Sequence, residues 1–539
     1  MSGSVVREPV VEGYFHRLSY EPGEEVSLHC SATVPHPSGR VEPAMEGLAF
    51  DVEIARLGAN RAVVHRQHGL WANPHAITAD ASTVGVDWPS SLSFVANEWS
   101  SGWYEALLTA TRPDGSVVQR RAGFVLRAPA GRPTSAIVLP LSMNTWNAYN
   151  DWGGTNLYLG ATAVSFRRPF AHGLLDRPDA GAHRNANVAA EPDLGGAAWA
   201  AYSRANRITT WAACAGLPTW EGPFISWAER NGYTLDYAVN ADLEERPELL
   251  DSYRMLLSVG HDEYWSSPMR DTVEAFIAGG GNVAFFSGNT SFWQVRLEDD
   301  GHTMVAFKDR ARRHDPLRHT HPELLTGMWS DPIINRPESQ MTGVSFSRGG
   351  YARLAGATPQ GQRGYTIWRP DHWMFANTGL AYGDLLGAEH CVVGYECDGC
   401  ELTMEHNLPV PTGADGCPPG FEILGSAPAR LFSVNPEAGV NEYPTGLAAI
   451  RTSGELEGVA HVLFGDSSPA NVQRVAHGNA VLGSYTSHPH GGIVVTSGCT
   501  DWAYGVAGGD PLITQITRTI LDTLSTPRDP TVAADSDQA

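Results

Sequence analysis

The chain has 539 residues, 42% of them hydrophobic and 16 of them tryptophan, which is ample for large cores and more than one domain. Its 59 acidic against 37 basic residues give a net charge of −22, favouring solubility and arguing against nucleic-acid or anionic-membrane partners. No run approaches the roughly 18 apolar residues of a membrane span, and the N-terminus lacks a basic region followed by an apolar one. The seven scattered cysteines fit free thiols in a reducing compartment, so a cytoplasmic protein is expected.

Residues 1–130 carry strand and turn signals. Gly13–Ser19, Glu25–Ala32, Leu48–Leu57 and Trp103–Thr111 read as strands, with Pro22-Gly23 and Pro113-Asp114-Gly115 as turns. Short strands at this spacing predict an immunoglobulin-like β-sandwich without an ionisable constellation, a scaffold, docking or lid element.

A linker, Ala128–Pro133, leads to an α/β domain expected over 134–527, whose first strand lies in Ser135–Leu141. An aromatic, polar loop follows from Asn144 to Gly160 and holds Trp146, Tyr149, Trp152 and Tyr158 around Gly153-Gly154. Residues 161–215 read as irregular. Phe224–Asn231 then predicts a helix, Thr234–Tyr237 a strand and Pro247–Ser252 a short helix.

Met255–Asn289 is the clearest unit. Met255–Val259 is an apolar run suited to a strand covered on both faces. Ser266 and Ser267 can cap a helix starting at Pro268, and Val273, Phe276 and Ile277 form its apolar stripe. Gly279–Gly281 ends the helix, and Asn282–Ser287 is the next strand. Such alternation predicts a mainly parallel sheet with helices on both faces.

Residues 290–420 break the alternation and predict an inserted, largely β region over the sheet's carboxyl edge. Strands are expected again at His461–Phe464 and Gly492–Ser497, then a helix at Pro511–Leu524 and a disordered tail over 528–539.

The nucleotide-binding glycine motifs and the GxSxG elbow are absent, and only Cys397 and Cys400 have CxxC spacing, so a zinc site lacks its second pair. What remains is a set of oxygen donors at the carboxyl edge, where open α/β sheets bind ligands. The loop Gly260–Trp265 offers His261, Asp262 and Glu263, and Asn289 leaves the neighbouring strand. Tyr149 and Tyr158 leave the first strand on the same edge. Phenolates with a carboxylate suit a hard cation. Two plainer readings stand beside this one: a solvated loop in which Asp262 and Glu263 cap the helix, and tyrosines that only pack.

The segments LPLSMNTWNAYNDWGGTNLY, LLSVGHDEYWSSPMRDTVEAFIAGGGNVAFFSGNTSFW, HWMFANTGL, VVGYECD and SGCTDWAYG resemble the large-subunit catalytic domain of N,N-dimethylformamidase and its relatives, in order over Ser135–Leu524. The resemblance implies a glutamine-amidotransferase-like (flavodoxin-like) α/β fold and one mononuclear ferric iron held by Tyr149, Tyr158 and Glu263. It further implies a metal-activated water attacking a small amide, Glu396 as the acid–base residue, and His261 and Asn289 beside the substrate, with Lys308 a weaker match. Assembly as a homo-oligomer, and a small accessory subunit, are expected from the same resemblance. This chain departs from the amidase in the nine-residue spacing of its tyrosines and in reading HDE where the amidase has a proline between histidine and glutamate. Two other functions fit the same residues: a non-catalytic binding module, and a metal-free hydrolase using His261 and Glu263.

Overall fold

The computed structural model describes residues 8–36, 38–177, 201–352, 362–431 and 455–527; the expected tail over 528–539 lies outside them. In the N-terminal region two sheets pack face to face. One contains Val10–Phe15, Glu25–Pro35, Val41–Pro43 and Ser90–Val95, the other Ser19–Tyr20, Leu48–Leu57, Arg61–Ala72, Gly102–Thr111 and Val117–Leu126. Val26, Leu28, Cys30 and Ala32 of the first meet Phe50, Val52, Ile54, Tyr104 and Leu108 of the second in one buried cluster. Leu48–Leu57 shows why: its residues alternate inward and outward, as a half-buried strand must. Arg61–Ala72 was not anticipated, because its outward face carries arginine and histidine and its inward face is only partly covered.

Among the described residues the central sheet has nine strands: β1 (Ile137–Leu141), β2 (Asp236–Val239), β3 (Met255–His261), β4 (Asn282–Gly288), β5 (Tyr365–Ile367), β6 (Leu385–Leu386), β7 (Glu422–Ala429), β8 (Gly478–Thr486) and β9 (Ile493–Thr496). Their order is β2-β1-β3-β4-β9-β8-β7-β5-β6. The first five in that order are mutually parallel, and the other four continue antiparallel. Every residue of β3 and β4 is buried, in keeping with their near-continuous apolar runs.

Helices that frame the sheet include α1 (Met143–Tyr149), α2 (Glu221–Arg230), α3 (Ser267–Ala278), α4 (Trp502–Gly508) and α5 (Pro511–Ser525). The Ser266 hydroxyl accepts from the Met269 N–H at the start of α3, and Val273 and Ile277 are buried against the sheet. Among the described residues no helix is long and apolar enough to cross a membrane.

Three expectations need correcting. His461–Phe464 is not a strand but the end of a helix, Glu455–Phe464; a short apolar run does not separate the two by itself. The start of the expected loop Asn144–Gly160 is α1, whose residues are all buried. Asn144, Thr145 and Asn147 lower its intrinsic helicity by about 2 kcal/mol relative to alanine. Burial of Trp146 alone contributes about 4–6 kcal/mol, so packing overrides propensity. Finally, within 290–420 the strands β5 and β6 join the central sheet instead of standing apart from it.

The N-terminal sheets are fastened to the rest through ion pairs that are buried or partly buried. Arg127 lies 2.9 Å from Asp242, both side chains 1% exposed, and Arg56 makes a two-pronged contact with Glu229 of α2. Arg127→Ala removes the fully buried partner of Asp242 and leaves it Arg246, at 3.2 Å, and the Ser19 hydroxyl. A loss of about 1–3 kcal/mol is expected, read as a lowered urea midpoint; an unchanged midpoint would show that the Arg127 contact contributes nothing.

Candidate functional site

Parallel pairing of β1, β3 and β4 puts the chain segments that follow them on one edge. From β1 the chain enters α1, which ends on Tyr149. The buried Arg168 guanidinium donates to the carbonyls of Asn147, Asn150 and Trp152, satisfying acceptors that the helix end leaves open. Gly153 and Gly154, at φ 90° and 101°, turn the chain back in a conformation that disfavours side chains. Asn156 then donates to the Tyr149 carbonyl and accepts from the Tyr158 N–H. The nine-residue separation is thereby folded into contact. The two rings stack with centroids 4.4 Å apart, and their hydroxyl oxygens are 2.6 Å apart.

Glu263 follows β3, and its N–H donates to Thr145 Oγ1 of α1. Tyr149 donates to Glu263 Oε2 at 3.1 Å and Tyr158 to Oε1 at 2.8 Å. Trp293 Nε1 donates to Oε1 at 2.7 Å, and the Tyr264 hydroxyl donates to Tyr158 at 2.9 Å. Lys308 Nζ stands 3.4 Å above the Tyr158 ring centroid and 5.0 Å from that of Trp293.

His261 closes β3. Its Nδ1 lies 2.8 Å from the Cys214 carbonyl, an acceptor only, so Nδ1 carries a proton. Its Nε2 faces two carboxylates, Glu396 at 2.6 Å and Glu263 at 3.2 Å. Asn289, just past β4, directs Nδ2 to Glu396 Oε2 at 3.2 Å. All six sequence candidates therefore converge, and Lys308 joins them. His261, Asp262 and Glu263 are each under 3% exposed, which rules out a solvated loop. Nor does Asp262 cap α3. It accepts from Ser258 and Asn240 instead.

The electrostatics follow from burial. Burial and the Glu263 charge push both phenols well above the ordinary tyrosine range. Burial also pushes Glu263 up, but His261 and Lys308 outweigh it and hold the carboxyl below its usual range. For His261 burial acts downward, yet Glu396 and Glu263 outweigh it and raise it well above the ordinary histidine range. Burial lowers Lys308. Asp398, next but one to Glu396, is raised to about 7 by burial, with backbone donors opposing.

The sequence reading missed Tyr264, Trp293, the Cys214 carbonyl and Asp398. Tyr264 and Trp293 lie inside the HDEYW and TSFW runs, so adjacency was a usable signal for them. Trp146 and Trp152 face the N-terminal sheets: Trp146 meets Trp103 edge-on, and Trp152 donates to Glu12. Trp265 sits in a different core on the sheet's other face.

Among the described residues no group of three or more His, Cys, Asp and Glu side chains is arranged to hold a metal. The donor set here is of another kind, two phenols and one carboxylate whose oxygens lie 2.6 to 3.1 Å from one another. Hard oxygen donors at such spacing fit a small, highly charged cation.

The family described as N,N-dimethylformamidase beta subunit-like, C-terminal, matches residues 51–515. The chain belongs to it. Curated relatives include the N,N-dimethylformamidase beta subunits of Alcaligenes sp and Paracoccus aminophilus, each 31% identical over 86 residues, 15% of this chain and 11% of the relative. Among solved structures, Spo0M, a sporulation control protein from Bacillus subtilis, is 12% identical, covering 23% of this chain and 51% of that one at a TM-score of 0.17.

Beneath α1, the Trp146 indole donates to Glu221 Oε1 at 2.9 Å, and burial raises this carboxyl to about 8. The folded chain therefore keeps a proton that the unfolded chain loses near pH 4.5. Stability should fall as pH rises from there to about 8 and then level off. Glu221→Gln keeps an acceptor for Trp146 and should remove that part of the slope; an unaltered profile of unfolding midpoint against pH would count against the assignment.

Proposed function

We propose that the chain is an iron-dependent hydrolase of a C–N bond in a small amide, built on a glutamine-amidotransferase-like α/β platform with an immunoglobulin-like sandwich beside it. The observation that carries this reading is the meeting of Tyr149, Tyr158 and Glu263 around one point, with Glu396, His261 and Asn289 next to it. Family membership agrees with it, since relatives are named for amidase activity on N,N-dimethylformamide.

Tyr149, Tyr158 and Glu263 would hold the ion. A ferric ion bound there would supply Lewis acidity toward a carbonyl oxygen and a water. The protein's own groups do the rest. Glu396 takes a proton from the attacking water as the new C–O bond forms, then delivers it to the departing nitrogen as the C–N bond breaks. The His261 imidazole, anchored through Nδ1 to the Cys214 carbonyl, lies 2.6 Å from Glu396 and orients its carboxylate. Asn289 fixes the other side of the same carboxylate. Trp293 and Tyr264 hold Glu263 and Tyr158 in place, and Lys308 contributes a positive charge against the tyrosine ring. As the relatives are named beta subunits, assembly with further copies or a small accessory subunit belongs to the proposal too.

Iron-loaded protein should show a visible phenolate-to-iron absorption band with near-stoichiometric metal. Tyr149→Phe and Glu263→Ala should each abolish the band while leaving a folded chain, and full iron retention by either would disprove the ligand set. Glu396→Gln should keep the band yet lower kcat on small amides by about 10²–10⁴-fold. Activity that survives complete chelation would point instead to the metal-free reading, with His261 working against Glu263 at 3.2 Å.

A further inference from the structure

At the end of β4 the backbone makes an unusual turn. Asn289 and Ser291 both adopt left-handed conformations, at φ 51° and 54°. Residues with side chains disfavour this region unless the surroundings hold them there. Gly288, immediately before, runs so close to the Glu396 strand that an added Cβ would lie 2.4 Å from the Glu396 carbonyl oxygen and 2.5 Å from the Thr500 nitrogen. The turn thus sits directly on the strand carrying the proposed base.

Asp398 on that strand (Glu396–Gly399) reaches the turn. Its Oδ1 accepts from the Asn289 N–H at 2.8 Å and its Oδ2 from the Thr290 N–H at 3.1 Å. Two successive N–H groups at such a turn form a concavity suited to an anion, and the chain fills it with its own carboxylate. Asp398 is 1% exposed, and its N–H donates to the Gly498 carbonyl, so the clamp is built into a paired strand. Glu396 and Asp398 are two residues apart and share one face of it. One rigid element therefore sets both the base and the backbone from which the Asn289 amide projects. With Nδ2 on Glu396, Asn289 Oδ1 is left as a buried acceptor with no hydrogen-bond partner among the described residues.

We propose that Asp398 is a positioning residue for amide hydrolysis: by clamping the N–H groups of Asn289 and Thr290 it holds Asn289 left-handed and aims its amide at Glu396. The aim rests on the proposed amide-hydrolase function; the clamp does not. Because Asp398 occupies both N–H groups, the donor next to Glu396 is the Asn289 side chain and not its backbone.

The experiment is a double-variant cycle of Asp398→Asn and Asn289→Gly in the full chain, read by thermal unfolding, by the iron–phenolate band and by kcat and KM on a small amide such as N,N-dimethylformamide. Asparagine at 398 turns an NH₂ toward one of the two N–H groups. It should lower the melting temperature by a few degrees, and Asn289→Gly in that background should recover part of the loss, since glycine takes the turn without a clamp while the NH₂ still meets a backbone N–H. Additive losses overturn the clamp. In the iron-loaded protein Asp398→Asn should lower kcat at least tenfold with KM within twofold and the band unchanged. Placed on Asn289→Gly it should cost nothing further, as there is no amide left to aim. Wild-type kcat in Asp398→Asn overturns the positioning role. If wild-type protein hydrolyses no small amide, the functional reading fails, the aim fails with it, and the melting cycle still decides the clamp. If Asp398→Asn alone does not fold, the double variant should; its failure to fold also overturns the clamp.

Discussion

Two buried carboxylates sharing one imidazole are the constraint on which this structure depends. Glu263 and Glu396 come from distant parts of the chain, and both lie within 3.2 Å of His261 Nε2. A lone ionised carboxylate in a dry interior costs several kcal/mol, and two side by side cost more. The cluster persists because His261 is charged by them, and because Lys308 adds a second positive charge beside Tyr158. Breaking this balance at one member leaves the others unpaired, so the four side chains behave as a unit.

That balance also explains the use of both phenols and carboxylates. Burial and the nearby Glu263 charge keep Tyr149 and Tyr158 protonated in the chain on its own. Their hydroxyls then serve as donors to Glu263, giving the site a closed hydrogen-bonded form.

Much of this was legible in the sequence, unevenly and for physical reasons. The β3–α3–β4 unit announces itself because every signal is local: apolar runs, Ser266 as cap, Pro268 in the first turn and a glycine stop. Tyr149, Glu263 and Asn289 could be placed on one edge by counting parallel strands. Their partners could not all be read that way. α1 has an asparagine-rich sequence that favours loops, and it is helical because Trp146 is buried against the N-terminal sheets. Asp398 acts on backbone N–H groups 109 and 108 residues away, through contacts that have no local signature. Glu396 came from family resemblance, since nothing in GYECD marks a base.

The N-terminal sheets follow the same logic one step further out. Glu12 of Val10–Phe15 accepts from the Trp152 indole and from Thr33, and Trp88 and Trp103 meet Trp152 and Trp146 edge-on. Trp146 and Trp152 flank Tyr149 in sequence, so the segment that carries one candidate ligand is wedged between the sandwich and the central sheet. Glu263 and Asn289, by contrast, leave the ends of buried strands of the central sheet. The two halves of the site differ in what holds them: one follows directly from the parallel sheet, and the other depends as well on a separate layer of β structure packed against the tyrosine segment.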